Sequence, residues 1–98
     1  MKDLKIKVIK IGPGKALGLR IKTAGTFLLL IKAPKGFLAC RYVNVKIANL
    51  VGDCAVIVKG VKTFKDMLKS PVFQVSQKAQ ALGIKKGLSG RAALARMF

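Results

Sequence analysis

The sequence predicts a single α+β domain, in which an antiparallel β region at the N-terminus is followed by short helices and strands packed onto it. Three observations predict this class. Apolar and charged residues alternate over most of residues 4–22, which is the period of a half-buried strand. Residues 27–31 are all apolar, as in a strand that is covered on both faces. The second half of the chain carries helix caps and helix stops at short intervals.

The first two strands are expected to form a hairpin. The alternation changes phase near residues 8–9, and we expect a β-bulge there because one extra residue would account for the change. Gly-Pro-Gly at 12–14 supplies the turn, and the alternation resumes over 17–22. One face of the first strand carries Leu4, Ile6 and Val8, and the other carries Lys5 and Lys7.

A second strand pair is expected around the turn at 34–36. The strand before it, 26–33, is apolar on both faces and should be covered on both sides. The strand after it is expected over 37–42, and a short buried strand follows at 55–58.

The second half of the chain is expected to be mostly helical. Asn44 caps a helix that Gly52 ends, and Thr63 with Asp66 forms a capping box for a helix that Pro71 stops. The remaining expected elements are an extended segment at 72–75, a helix over 76–82 closed by Gly83, a loop over 83–89, and a helix over 90–97 capped by Ser89.

The charge balance restricts the possible chemistry. The 98 residues include 20 Lys and Arg against 3 Asp, with neither Glu nor His, for a formal charge of +17. Paired carboxylates and imidazoles perform most general acid–base and metal chemistry, so we expect no metal site and no cofactor. A surface that serves only solubility normally mixes both signs of charge, so the imbalance predicts an anionic partner.

The cysteines and the apolar runs indicate the cellular compartment of the protein. Cys40 and Cys54 are too few for a disulfide scaffold. The apolar run at 27–31 is far shorter than the about 18 residues needed to cross a membrane. Lysines also interrupt the N-terminal region that a signal peptide would require. We therefore expect a cytoplasmic protein with reduced thiols and no membrane partner.

Three ordered blocks of the sequence form a pattern: KGFLAC with Val-Asn at 35–44, VKGVKTF with Asp-Met-Leu at 58–68, and LGI, GLSGR and Ala-Leu at 82–94. Together these blocks resemble the YunC-like family, a group of small bacterial and archaeal proteins of unknown function. The resemblance implies one YunC-like domain over 1–98, with a β region over 1–33 that mediates tetramer formation and a mixed α/β region over 34–98. Arg41 stands where the family usually has Gly.

The start of the last predicted helix is the candidate anion site. A helix N-terminus offers free N–H groups and the positive end of the helix dipole. The alternative interpretation is an ordinary capped helix beside a solvated basic loop. The candidate residues are Lys85, Lys86, Ser89, Gly90 and Arg91.

Cys40 is a candidate nucleophile or redox thiol. A cationic neighbour favours the reactive thiolate, and Arg41 is adjacent in sequence. Adjacent side chains of a strand point to opposite faces, however, and the chain has no His that could act as a base. The alternative interpretation is a small buried residue at a strand end.

Two other motifs are incomplete. Gly-Pro-Gly-Lys at 12–15 lacks the earlier Gly and the following Ser or Thr of a phosphate-binding loop, so a hairpin turn is the better interpretation. The segment 35–42 resembles an RNA-recognition strand but has Ala39 where the inner stacking aromatic would stand.

The sequence therefore favours a homo-oligomeric domain that binds an anionic ligand or nucleic acid. Sixteen of the twenty cations are lysines, so nucleic-acid binding would be weakly sequence-specific and steeply salt-dependent. Two alternatives are a cysteine-dependent enzyme acting on an anionic small molecule and a scaffold that binds itself or another protein.

Overall fold

Within residues 3–98, six strands form one sheet in the order in which they occur along the chain. The computed structural model describes residues 3–98, so Met1 and Lys2 of the expected domain lie outside the described residues. Neighbouring strands are antiparallel except for the parallel pair β4 and β5. The strands are β1 (Leu4–Ile11), β2 (Gly14–Lys22), β3 (Phe27–Ala33), β4 (Gly36–Ala39), β5 (Ala55–Ile57) and β6 (Gln74–Val75).

Four short helices accompany the sheet in the described part of the chain, and the predicted α+β class is confirmed. The first joins the parallel strands β4 and β5, because a parallel pair requires a crossover connection. None of the helices within residues 3–98 is long and apolar enough to span a bilayer. The helices are α1 (Val45–Val51), α2 (Phe64–Lys69), α3 (Gln77–Ala81) and α4 (Gly90–Ala95).

The predicted hairpin is confirmed, but the predicted bulge is wrong. β1 and β2 pair one residue to one along their whole length, from Leu4 opposite Ile21 to Ile11 opposite Gly14. The change of phase has another cause. The face of β1 that carries lysines at positions 5 and 7 is uncovered at that end, whereas Ile9 and Ile11 are buried on the same face at the other end.

The main core lies on this helix-bearing face of the sheet, under α2 and α4. Gly18 of β2 leaves room for the Phe64 ring of α2, since a Cβ there would be 2.9 Å from it. Gly90 likewise lets the start of α4 approach α2, because an added Cβ would collide with the Met67 carbonyl oxygen. The largest fully buried side chains of this core include Leu29, Ile31, Leu38, Met67, Ile84, Leu94 and Met97.

The opposite face is covered at one side only, and we call its uncovered part the open sheet face. There α1 packs against β5, and the pairing register places the buried Ala39 and Ile57 on that side. The expectation that the third strand is covered on both sides is not met within one chain. The open sheet face consists of Leu4, Ile6, Val8, Leu17, Leu19, Ile21, Leu28 and Leu30, all exposed or half-buried.

The predicted helix caps are present. The Asn44 side chain accepts a hydrogen bond from the Lys46 N–H at 2.7 Å, and Gly52 ends α1 in the left-handed conformation at φ 80°. Thr63 Oγ1 accepts from the Asp66 N–H at 3.0 Å and starts α2. The fourth strand ends at Ala39 rather than at residue 42, because the chain turns directly afterwards.

Candidate anion-binding site

A cleft of about 420 Å³ lies at the carboxyl ends of the parallel strands β4 and β5. Ligands of open sheets with parallel strands commonly bind at this edge, because the loops that follow the strands converge there. Three separate segments form the walls: the start of β3, the turn after β4 and the loop after β5. The lining residues are Thr26, Phe27, Cys40, Arg41, Tyr42, Gly60, Val61 and Lys62.

Cys40 lies in the wall of the cleft, at the end of β4. Its side chain is buried, and Cys40 Sγ accepts a hydrogen bond from the Leu29 N–H at 3.3 Å. The thiol lies 4.0 Å from the Phe27 carbonyl oxygen, which can accept its proton in a weak hydrogen bond. The sulfur therefore has defined contacts with β3 while remaining part of the cleft lining.

The second cysteine differs in its surroundings. Burial raises the pKa of the Cys54 thiol, and the negative charge of Asp53 raises it further. Both effects disfavour the thiolate, which is the reactive form. Cys54 precedes β5 and lies at the opposite end of that strand from the cleft.

Arg41 and Lys62 are the cations that line the cleft, and Arg41 shares an aromatic contact with Lys59, the residue before the lining residue Gly60. The Arg41 guanidinium carbon lies 5.6 Å from the centre of the Phe73 ring, and the Lys59 ammonium lies 4.4 Å from the same centre. Such contacts fix a cation without neutralising it. Among the described residues, none of the eight that line the cleft is acidic, so their charge is available to a ligand.

Arg20 lies at the margin of the cleft and is held in two ways. Its guanidinium carbon is 3.7 Å from the centre of the Phe27 ring, and its Nε–H donates to the Lys62 carbonyl oxygen at 2.8 Å. Because only Nε is used there, the two terminal nitrogens keep the geometry that suits a carboxylate or phosphate.

Asp66 is the acidic residue nearest in sequence to this loop. Its carboxylate accepts a hydrogen bond from the Lys62 N–H at 3.1 Å. This bond to the backbone is the main cause that lowers the pKa of Asp66, with smaller contributions from Thr63 and Lys69. The carboxylate therefore stabilises the start of α2.

The five residues of the predicted site at 85–91 lie in the loop before α4 and at the start of that helix, and none of them lines the cleft. Lys85, Lys86 and Arg91 are exposed, but Gly90 is buried and its N–H donates to the Ser70 carbonyl oxygen at 2.9 Å. The Ser89 side chain accepts from the Ala92 N–H at 3.1 Å. Two N–H groups of this helix start therefore already have partners, and α4 has only six residues. Anion binding at this segment stays a prediction.

Comparison with known proteins identifies the family. A family model described as a domain of unknown function, DUF1805, matches residues 39–97. The chain belongs to the DUF1805 family. The matched region contains Cys40, Arg41 and Tyr42 and the whole loop after β5, and therefore most of the cleft lining.

Two relatives of this DUF1805 chain extend the match. The uncharacterized protein YunC of Bacillus subtilis (strain 168) is 32% identical over 85 residues, which cover 80% of this chain and 81% of YunC. A crystal structure of a protein of unknown function from Thermoplasma acidophilum superposes with a TM-score of 0.93. That protein is 38% identical, and the match covers 97% of this chain and 93% of the other. The predicted YunC-like resemblance is confirmed.

Sequence reasoning found Cys40 and Arg41 but missed the other walls of the cleft. Phe27, Lys62 and Arg20 are each at least 13 residues from Cys40 in sequence, and no spacing joins them to it. Their common location depends on β4 and β5 being parallel neighbours, which the sequence pattern did not indicate. Within residues 3–98 there is no group of three or more His, Cys, Asp or Glu side chains that could hold a metal ion.

Proposed function

We propose that this DUF1805 chain is a self-associating domain that binds an anionic ligand in the cleft at the carboxyl ends of β4 and β5. The observation that carries the proposal is the lining of the cleft. Arg41 and Lys62 line it and, within residues 3–98, no acidic residue does, while Arg20 contacts the lining residue Lys62 and Lys59 precedes the lining residue Gly60. A volume of about 420 Å³ is within the range of ligand pockets, about 300–1,000 Å³.

The bound group is a carboxylate or a phosphate. Arginine presents planar N–H groups that match the oxygen atoms of both, and lysine adds a point charge. Phe27 and Phe73 already hold Arg20 and Arg41 in position, so ordering these long side chains costs less when a ligand binds.

Protection of Cys40 tests this proposal, with inorganic phosphate as the probe. Iodoacetamide modification of both cysteines is followed by mass spectrometry while phosphate replaces chloride at constant ionic strength. We expect phosphate to slow the modification of Cys40, which lines the cleft, and to leave the rate at Cys54 unchanged. Equal rates in phosphate and chloride would contradict anion binding in the cleft.

Two arginine variants locate the anion. Arg41→Gln should raise the phosphate concentration for half-protection about ten-fold, the value of one charge-assisted hydrogen bond. Arg91→Gln makes the same change in charge at the predicted site 85–91 and should leave the protection of Cys40 unchanged. Loss of protection in Arg91→Gln alone would place the anion at the start of α4 instead.

Self-association is proposed to occur through the open sheet face. Ile6 and Val8 are 60% and 59% exposed in the single chain, and six further aliphatic residues adjoin them. Apolar surface of this extent on one face usually marks an interface. Tetramer formation through the β region, which the family resemblance implies, is part of this proposal.

A second candidate function is a cysteine-dependent reaction, and the position of Cys40 in the cleft wall favours it. In that case the cations would hold an anionic substrate beside the thiol. The rate of Cys40 alkylation in the absence of phosphate tests this alternative. A Cys40 that reacts no faster than free cysteine argues against an activated nucleophile.

A further inference from the structure

Six cations lie at one end of the sheet, in a row that crosses the ends of the strands rather than following an outer strand. We call this row the basic edge. At this edge β1 and β3 begin and β2, β4 and β5 end. Since neighbouring strands are about 4.8 Å apart, the edge extends about 19 Å from β1 to β5. Its cations are Lys5 on β1, Arg20 and Lys22 on β2, Arg41 after β4, and Lys59 and Lys62 after β5.

The hairpin part of the basic edge is continuous with the cleft. Lys5 is directly opposite Arg20 in the pairing of β1 with β2, and Lys22 is opposite Phe27 in the pairing of β2 with β3. Arg20 then contacts both Phe27 and the Lys62 carbonyl, two residues of the cleft lining. The cations therefore form a row across the strands rather than separate points.

The row has a large excess of positive charge. Asp3 and Asp66 are the carboxylates nearest to it in the sequence, and Asp66 is hydrogen-bonded to the Lys62 N–H. Six cations against two carboxylates attract a ligand with several negative charges, and a linear row suits a linear polyanion.

An aromatic ring at the cleft adds a second kind of contact. Tyr42 is 54% exposed, and its hydroxyl is 3.2 Å from Thr23 Oγ1 in the turn between β2 and β3. This hydrogen bond restrains the ring beside the cleft. Nucleobases stack on such rings regardless of their sequence.

We propose that the ligand of the cleft and the basic edge is a single-stranded nucleic acid. Its phosphates lie along the row of cations, and one unpaired base lies in the cleft beside Tyr42. This inference rests on the proposed anion-binding function and names its ligand class. A duplex offers the same phosphates but no unpaired base, and lysines acting as point charges give little sequence preference.

Fluorescence anisotropy with a labelled 12-nucleotide single strand tests the proposal across a salt series. Log affinity falls as log salt rises, and Lys5→Gln combined with Lys22→Gln should make this slope less steep by about 1.4. This value is about 0.7 for each phosphate that the variant no longer neutralises. The matched control is Lys10→Gln combined with Lys15→Gln, which removes the same charge from the opposite ends of the same two strands and is compared at the same oligomeric state. We expect the control to keep the slope.

Tyr42→Leu tests the base contact. Stacking of one base on an aromatic ring contributes to the affinity, so this variant should bind the strand about 5- to 160-fold more weakly. The affinity for polyphosphate, which has no bases, should not change. Circular dichroism confirms that each variant is folded before its affinity is compared.

Several results would overturn the inference: no binding of the strand at low salt, equal loss in the Lys5/Lys22 and Lys10/Lys15 variants, or a duplex bound as tightly as the single strand. Tighter binding to anionic vesicles than to the strand would also overturn it. If phosphate protects Cys40 but the oligonucleotide does not bind, the cleft remains an anion site and only the ligand class is wrong.

Discussion

Replacing Ile6 with serine should weaken the proposed assembly without unfolding the chain. Ile6 lies on the open sheet face and is 60% exposed in the single chain. Complete burial of an isoleucine side chain is worth about 1.5–3 kcal/mol, so covering its exposed part contributes about 0.9–1.8 kcal/mol. In an isologous contact the substitution occurs twice, so the free energy of association weakens by about 1.8–3.6 kcal/mol. The dissociation constant should therefore be roughly 20- to 400-fold larger.

Sedimentation velocity over a range of protein concentrations measures this change. Lys7→Ser is the matched control, because residue 7 lies on the same strand but on the opposite face. Lys7→Ser should assemble like the parent chain. The unfolding free energy of the Ile6→Ser monomer should differ from that of the parent by less than about 0.5 kcal/mol, as expected for a residue that is mostly exposed in the single chain.

Two outcomes would refute this reasoning. The parent chain could sediment as a monomer even at high concentration, so that the open sheet face has no partner copy. Alternatively, Ile6→Ser could assemble normally while Leu50→Ser dissociates. Leu50 is 81% exposed on α1, and that result would assign the interface to the helix rather than to the sheet.

Three further predictions concern stability. Gly90→Ala should destabilise the fold by about 3 kcal/mol or more in urea unfolding, because its Cβ would collide with the Met67 carbonyl, whereas Gly25→Ala, with open space around it, should not. Ser76→Ala should cost about 1–3 kcal/mol in the same assay, since the buried hydroxyl bonds two N–H groups and one carbonyl. Asp66, whose pKa is lowered on folding, stabilises the native state above about pH 4 and loses this effect as pH falls through its folded pKa. The stability difference between the parent and Asp66→Asn should therefore shrink between pH 7 and pH 3, and an unchanged difference would contradict this.

Local signals in the sequence were sufficient for the individual elements. Asn44 and Thr63 cap the helices that they were predicted to cap, because a cap depends on hydrogen bonds between residues two or three apart. The family blocks also identified the family. Such features depend on neighbouring residues, and a single sequence contains all of the information that they require.

Which face of a strand is buried by helices distant in sequence could not be predicted in the same way. The alternation in β1 correctly separates Ile6 from Lys7, but it does not say which face the later helices will cover. The structure buries Ile9 and Ile11 on the lysine-bearing face and leaves Ile6 open. The apparent change of phase therefore arises from two different environments along one strand. The cleft was missed for a similar reason, since it depends on the parallel pairing of β4 with β5.

A charge of +17 opposes self-association in general, but the positions of the cations make self-association compatible with this charge. The residues of the open sheet face are all aliphatic, and three lysines border them at one end on the same side of the sheet: Lys10 and Lys15 are directly opposite each other, and Lys32 is opposite Leu17. Two copies packed with these ends together would bring six ammonium groups into one region. Packing in the reverse direction sets each lysine end against the aliphatic end of the other copy. Electrostatic repulsion thus selects the direction of packing without requiring charge on the interface itself. The basic-edge residues Lys5, Arg20 and Lys22 lie on the opposite face of the sheet.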